Sequence, residues 1–539
     1  MLASRRNRFD QLLTVLYALA LTAFVAALLH HHWQIISAQF PLDYYEGTTL
    51  LITQIIADGG NPYTREYQPW AMYVYPPLFN MVVAPFTWLV GNSLQLHRIA
   101  CGLFILVSCF LVARIVWRQG TDLLESLSAA GLLYAALLFF ITPISSTNAM
   151  GVLLFLVMIY VPLVQRFSIR SLVLSALLGI AAFYTKQYFI LAIGLLCSWV
   201  FLYQSRLRGV WVGGLFFGLL MASLWPVHLS SPYYLDNTLF STAIAADRLQ
   251  STEIALRQYK DFAVLYWPLL LLASIQLWLF LRDHGVAGIQ QLLVPRTEPG
   301  GTAGAGLQTR NVYYSWFCLL LGAAVVFFSL ARNPGNYLSY LFQLLSPLLL
   351  VAVFGGMPRL GRARRLLGIL VVLCFYQAWS LLPRDFSTTE ANWKKVDSII
   401  AGDENFLTSQ VLLANLLRHD RRVYQDGHTF YFPLAADKPR WFKKRAEQDR
   451  VEAVWEQYIE RLYRDIENQY FDAIIITPLE QRGIFVTNPP PFSQLTGYEF
   501  LRRYYYLEES FPLSMTKRRG GGNYRFQVWR PQHEAPGAE

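Results

Sequence analysis

The sequence predicts a polytopic α-helical membrane protein with about eleven transmembrane helices, followed by a C-terminal extracytoplasmic domain of α/β or α+β class. Three observations carry that reading. Of 539 residues, 54% are hydrophobic and only 15% charged, with a mean hydropathy of +0.32, too apolar for a soluble globular chain. Uncharged stretches approaching the roughly 20 residues that cross a bilayer recur from Gln11 into the 370s. After Leu382 they stop, and polar and charged residues return at the density of a water-soluble domain.

Spans are expected near 11–30, 99–117, 124–143, 148–165, 171–185, 188–204, 209–229, 262–281, 312–331, 337–355 and 366–383. The first has a basic start but ends in His30-His31-His32-Trp33 rather than a small-residue cleavage site, so it reads as an uncleaved anchor. The histidine run itself reads as solvated at the interface. Segment 76–91 is apolar but short and opens on Pro76-Pro77, so it reads as a helix lying in the membrane interface. All five cysteines fall within spans, which argues for small buried side chains and against a disulfide framework or a cysteine metal site.

Orientation follows from the basic residues. With the N-terminus inside, Arg5, Arg6, Arg8, Arg114, Arg118, Arg166, Arg170, Arg206, Arg208, Arg359, Arg362, Arg364 and Arg365 all fall in inner loops. The net charge of +10 is thus a product of membrane topology and gives no sign of nucleic-acid binding. The chain divides into a membrane domain, 1–383, whose first outer loop spans 31–98, and an outer domain, 384–539. In the latter, helices are expected near 404–418 and 444–468 and strands at 471–477 and 524–529, with Pro489-Pro490-Pro491 and Gly520-Gly521-Gly522 marking loops. The glycine-rich stretch 295–308 reads as a flexible linker, since no Gly-Lys-Ser/Thr follows it.

Chemistry is expected on the outer side. Asp43 and Glu46 stand three apart in Asp43-Tyr44-Tyr45-Glu46, a spacing that puts both carboxylates on one helix face, where they could activate a hydroxyl or hold a cation. The same long loop carries Arg65, Arg98 and the run Tyr73-Val74-Tyr75-Pro76-Pro77, an interfacial element with aromatic anchors; Arg98 could equally cap the second span. Lys186 interrupts an otherwise apolar run, either as a snorkelling lysine at a hairpin tip or as a partner for a phosphate. Arg332 opens the turn Arg332-Asn333-Pro334-Gly335-Asn336-Tyr337, and its guanidinium suits bidentate phosphate recognition; the bland alternative is a surface residue in a tight turn. Ser145-Ser146-Thr147-Asn148 reads as ordinary turn residues.

Taken in order, the outer acidic motif at Asp43, the Tyr75-Pro76-Pro77 stretch, Thr185-Lys186 and the Arg332–Tyr337 turn resemble the GT-C superfamily of integral-membrane glycosyltransferases. The pattern is most like the bacterial family-39-type enzymes, relatives of protein O-mannosyltransferases and aminoarabinose transferases. The resemblance spans most of residues 1–383 and implies a GT-C-like membrane domain in a bacterial cytoplasmic membrane. It implies a polyprenyl-phosphate sugar as donor, a lipid, glycan or protein as acceptor, and inversion at the anomeric carbon. Carried over, Asp43 would be the base, Lys186, Arg332 and Tyr337 would hold the donor phosphate, and Tyr75, Pro76, Pro77, Arg65 and Arg98 would line the substrate side. Two departures matter. Many members have adjacent Asp-Glu where this chain has Asp43-x-x-Glu46, which leaves Glu46 as second acid, metal ligand or structural partner. An acidic residue found after the third span in some members is absent, with Asn148 nearby. Some members use a divalent cation and others none, so a metal is left open. The rivals from other classes are a transporter or lipid flippase and a catalytically silent assembly subunit.

Overall fold

The computed structural model describes residues 2–43, 45–140, 147–241, 251–293, 305–333, 338–358, 364–381, 387–402, 405–408, 410–425, 429, 432, 445–476, 500–514 and 523–534. Long helices dominate: α1 (Leu2–Ser37), α2 (Tyr45–Ala57), α3 (Leu78–Val90), α4 (Leu94–Arg118), α5 (Leu123–Phe140), α6 (Thr147–Val164), α7 (Ile169–Thr185), α8 (Leu191–Tyr203) and α9 (Arg206–Ser230). They continue as α10 (Thr252–Leu265), α11 (Trp267–Leu293), α12 (Ala305–Phe328), α13 (Ser346–Gly356) and α14 (Arg364–Leu381).

Among the described residues each expected span overlaps an apolar helix, the eighth only as a bent pair. Five are long and apolar enough to cross a membrane, and a sixth joins them if α10 and the start of α11, bent by 87°, count as one. The others are shorter apolar helices of 10–17 residues. The bend displaces the eighth expected span. Pro268 has no N–H for the Val264 carbonyl four residues earlier and its ring crowds that carbonyl, while proline is well suited to a helix's first turn. Helix therefore stops at Leu265 and restarts at Trp267. Large apolar side chains such as Phe110, Phe217, Trp225, Leu320 and Phe328 remain exposed on these helices, as lipid-facing surface would be.

Helix α3, 13 residues from Leu78, covers the short apolar segment expected at 76–91. Its inner face, Phe79, Asn80, Val83, Ala84 and Thr87, is buried, whereas Met81, Phe86, Trp88, Leu89 and Val90 are exposed. Asn80 fixes it: its amide donates to the Thr49 carbonyl and Thr53 Oγ1 of α2, both at 3.0 Å, and its oxygen accepts from Tyr73 at 2.8 Å. Thr53 in turn meets His97 Nε2 of α4 at 2.9 Å, so one buried polar chain joins α2, α3 and α4.

The C-terminal region holds α15 (Ser387–Gly402), β1 (Phe406–Thr408), α16 (Leu413–Arg418), α17 (Arg445–Glu467), β2 (Ala473–Ile476), β3 (Tyr505–Ser514) and β4 (Asn523–Pro531). The four-stranded sheet has order β1-β2-β4-β3, with β1 and β2 parallel and the other pairs antiparallel. The expected helix at 404–418 is corrected. Phe406, Leu407 and Thr408 are all buried and pair with Ala473, Ile474 and Ile475, which leaves only Leu413–Arg418 as α-helix. Strand β3 went unread because Glu508, Glu509 and Pro512 mask its alternation, and Pro512 is tolerated because β3 is an edge strand. The loops at 489–491 and 520–522 and most of the 295–308 linker lie outside the described residues.

The apolar core runs on into this region: Trp393, Val411, Leu413 and Phe526 belong to the same buried cluster as the helices before residue 383. Gly47 of α2 sets how near α16 comes, since a Cβ there would lie 2.6 Å from Leu413 Cβ and 2.8 Å from the backbone nitrogen of Ala414. The histidine run is also corrected: His31 and His32 are buried, with His32 Nδ1 2.6 Å from the Tyr134 hydroxyl. All five cysteines are free, as expected.

Candidate active site

The segment between α1 and α2 carries the acidic pair, and its two carboxylates go separate ways. Asp43 precedes α2 rather than sharing a helix face with Glu46. Its Oδ1 accepts the Tyr45 N–H at 3.0 Å and its carbonyl accepts the Glu46 N–H at 3.2 Å, so it opens the helix as a local turn. A carboxylate there is favoured by the positive end of the helix dipole. Asp43 is nevertheless 7% exposed, a charge held almost out of water.

Glu46 is fully buried against Arg98, itself fully buried. The guanidinium grips it bidentately, Nε to Oε1 at 2.8 Å and Nη2 to Oε2 at 2.7 Å, and Oε2 also accepts the Leu42 N–H at 2.6 Å. The other Arg98 N–H groups donate to the carbonyls of Ile35, Ala38 and Phe40, which end α1 and start the connection. Of the roles open to Glu46, the structure favours structural partner. Arg98 does not cap α4, whose start is capped by the Ser93 side chain; its guanidinium donors go instead to Glu46 and to the chain at the end of α1. Together they fasten residues 35–46, and hence Asp43, to α4.

Lys186 closes α7 as its C-cap, where a cation meets the negative end of the helix dipole. It does not snorkel. The side chain is buried, donates to Asn148 Oδ1 at 2.9 Å, and lies over the rings of Tyr75 at 4.2 Å and Tyr188 at 5.3 Å. Burial at this helix–helix turn pushes its ammonium down to about 7, and the Asp43 carboxylate is the charge that opposes the shift. Asp43, Tyr75 and Lys186 thus share one site. Tyr45, next but one to Asp43, packs on Tyr75 with ring centroids 5.6 Å apart, and the Tyr75 carbonyl accepts the Tyr63 hydroxyl. Pro76 is buried behind that ring, and Pro77 is the N-cap of α3.

Sequence reading missed the far wall. The Tyr188 hydroxyl meets Asn148 Oδ1 at 3.1 Å and Gln343 Oε1, and its ring packs edge-on against Tyr340 at 4.9 Å. Gln343 had a signal, a lone amide inside Leu341-Phe342-Gln343-Leu344-Leu345. It sits on a π-turn ahead of Pro347, which has no N–H to continue the α-helical ladder.

Arg332 ends a short 3₁₀ turn next to this wall rather than in the Lys186 cage. Gln258 of α10 donates to the Ala331 and Asn333 carbonyls and accepts the Leu338 N–H, which ties that turn to the strand of chain leading into Tyr340. Arg332 Nε is buried with no hydrogen-bond partner among the described residues. Tyr337 lies outside the described residues. Arg65 is exposed and donates to Gln457 of α17 at 2.6 Å. No group of three His, Cys, Asp or Glu that could hold a metal occurs among the described residues, and with Glu46 held by Arg98 the acidic pair does not fit a divalent-cation site.

No protein-family profile and no curated protein matches the chain. Solved structures that resemble it include ArnT from Cupriavidus metallidurans bound to undecaprenyl phosphate, at 14% identity and a TM-score of 0.43, with 94% of this chain and 97% of that one covered. The apo state of that ArnT gives 12% identity and a TM-score of 0.41 over the same shares. The archaeal oligosaccharyltransferase AglB from Archaeoglobus fulgidus, in complex with an inhibitory peptide and a dolichol-phosphate, gives 12% identity and a TM-score of 0.43, over 96% of this chain and 75% of that one. TM-scores of this size do not by themselves assign the chain to a family.

Proposed function

We propose that the protein is a GT-C-type membrane glycosyltransferase that moves a sugar from a polyprenyl phosphate to a lipid, glycan or protein acceptor on the outer side of a bacterial cytoplasmic membrane. The observation that carries the reading is a buried cation, Lys186, seated over the Tyr75 ring and within electrostatic reach of the nearly buried Asp43, whose neighbour Tyr45 packs on the same ring. A base beside a phosphate partner is what transfer from a lipid phosphate requires.

In this reaction Asp43 takes the proton of the acceptor hydroxyl as its oxygen attacks the anomeric carbon. The bond from that carbon to the phosphate oxygen breaks, and the lipid phosphate leaves with its electron pair beside the Lys186 ammonium. One displacement inverts the anomeric centre. A double displacement would need two carboxylates about 5 Å apart, and Glu46 is occupied by Arg98. Arg332, near the Tyr340 wall with an unpartnered Nε, would serve an outer phosphate oxygen when the donor arrives.

The test is sugar transfer from a panel of polyprenyl-phosphate sugars by protein in nanodiscs, with undecaprenyl phosphate binding measured alongside. Asp43→Asn should lower transfer by about 10²–10⁴ while binding persists. Undiminished transfer by Asp43→Asn would remove the base, and a wild type that neither binds nor consumes any donor would favour a transporter or flippase.

A further inference from the structure

A second cavity, of about 670 Å³, opens where the first outer loop meets the C-terminal region. Its walls carry a chemistry that the donor site does not use. Half-buried Trp70, with Tyr424 and Tyr458 that are each only 8% exposed, lines it with aromatic carbon, and the exposed Arg65, Arg422 and Arg461 supply positive charge, against Glu66 as the single lining carboxylate.

The hydrogen bonds sort these groups. The Tyr424 hydroxyl is taken by Asp465 at 2.7 Å and the Tyr458 hydroxyl by Gln425 at 2.8 Å, and both rings are packed into the core, so Trp70 is the ring left to offer a face. Arg421 donates to the Ile400 and Ala401 carbonyls at the end of α15, and Arg65 bridges to Gln457, joining the two walls. Arg422 donates to the Tyr470 hydroxyl at 3.3 Å, and Arg461 stands 5.6 Å from the Tyr424 ring centre with Asp465 at 3.4 Å. Among the described residues these contacts leave most of their donors for a ligand.

We infer that this cavity binds an anionic saccharide, the acceptor of the reaction proposed above and dependent on that reading, with a pyranose face on the Trp70 ring and its carboxylate or phosphate on Arg422 and Arg461. A flat ring suits the apolar face of a sugar, and guanidinium forks suit its anionic groups. The volume falls in the range of about 300–1,000 Å³ that encloses a small ligand. Position agrees as well: Leu51 lines the cavity, six residues along α2 from Tyr45, or about 9 Å of helix rise from the end that carries Asp43.

The experiment is fluorescence anisotropy of labelled tetragalacturonate on the full chain in nanodiscs, with no donor present. Comparators are its fully methyl-esterified counterpart, a labelled tetraglutamate peptide and inorganic phosphate as competitor. The acid tetramer should bind saturably, the neutral ester about tenfold more weakly, and Arg422→Gln/Arg461→Gln should weaken the acid tetramer about tenfold. Phosphate should compete only at far higher concentration. Equal binding of acid and ester, an unaffected double variant, or no saturable binding would overturn the inference, and preference for tetraglutamate would replace the saccharide with an acidic peptide. Undecaprenyl phosphate binding by the wild type reports on the donor site separately, so failure here and failure there are told apart.

Discussion

Replacing Arg98 by methionine removes the bidentate countercharge of a carboxylate with no exposed surface. Glu46 would lose both guanidinium bonds, and the carbonyls of Ile35, Ala38 and Phe40 would lose the Arg98 N–H groups. Breaking a buried pair from one side typically costs about 3–5 kcal/mol, because the remaining charge stays desolvated. Arg98→Met should therefore lower the apparent unfolding midpoint in nanodiscs on the order of 3–5 °C. Glu46→Leu/Arg98→Met removes both charges and should recover a large part of that loss, a coupling that a double-mutant cycle reads directly. Transfer activity should fall further than stability accounts for at assay temperature, since the pair fastens the segment that carries Asp43. A single variant as stable as the double would refute the lock, and a stable, fully active single variant would refute its positioning role.

Two other outcomes follow from named contacts. Burial holds Lys186 at about 7, well below its value in the unfolded chain, so the folded state binds fewer protons between that pH and the ordinary lysine range. Its burial therefore costs stability in full below pH 7, and the cost is relieved as pH rises towards 10. An arriving phosphate favours the ammonium, so undecaprenyl phosphate should bind with proton uptake near pH 7.5 and more weakly at pH 9; calorimetry in buffers of different ionisation enthalpy would show it, and pH-independent binding would exclude Lys186 as the phosphate partner. Gly47→Ala places a methyl 2.8 Å from the Ala414 backbone nitrogen, so α16 must shift. A cost of about 1–3 kcal/mol and faster proteolysis after residue 402 are expected, and unchanged cleavage would show that α2 and α16 can separate freely.

The helices were legible because the bilayer forces apolar runs of fixed length, and each such run became a helix. What escaped reading depended on partners distant in sequence. Nothing local distinguishes Arg98 from an exposed loop arginine; its role exists only because the end of α1 presents three carbonyls and α2 presents Glu46 to it. Strand β1 escaped for the same reason, since Phe406-Leu407-Thr408 is a strand only beside Ala473–Ile475. Lys186 was legible because a charge inside an apolar run is costly enough to need a reason, and the same logic applied to Gln343 would have found the Tyr188 wall.

Helix α2 connects these parts into one device. Its first turn holds Asp43 in place, carries the Glu46–Arg98 lock and is approached by α16 at Gly47, and Leu51 on the second turn lines the second cavity. Thirteen residues thus link Asp43, the lock and that cavity along one helix of about 20 Å. A helix that short has little stability of its own in water, so its geometry is set by what packs around it. The lock and the α16 contact are therefore the features that keep Asp43 and the second cavity at a fixed separation, and on the proposed function loosening either should degrade transfer more than ligand binding.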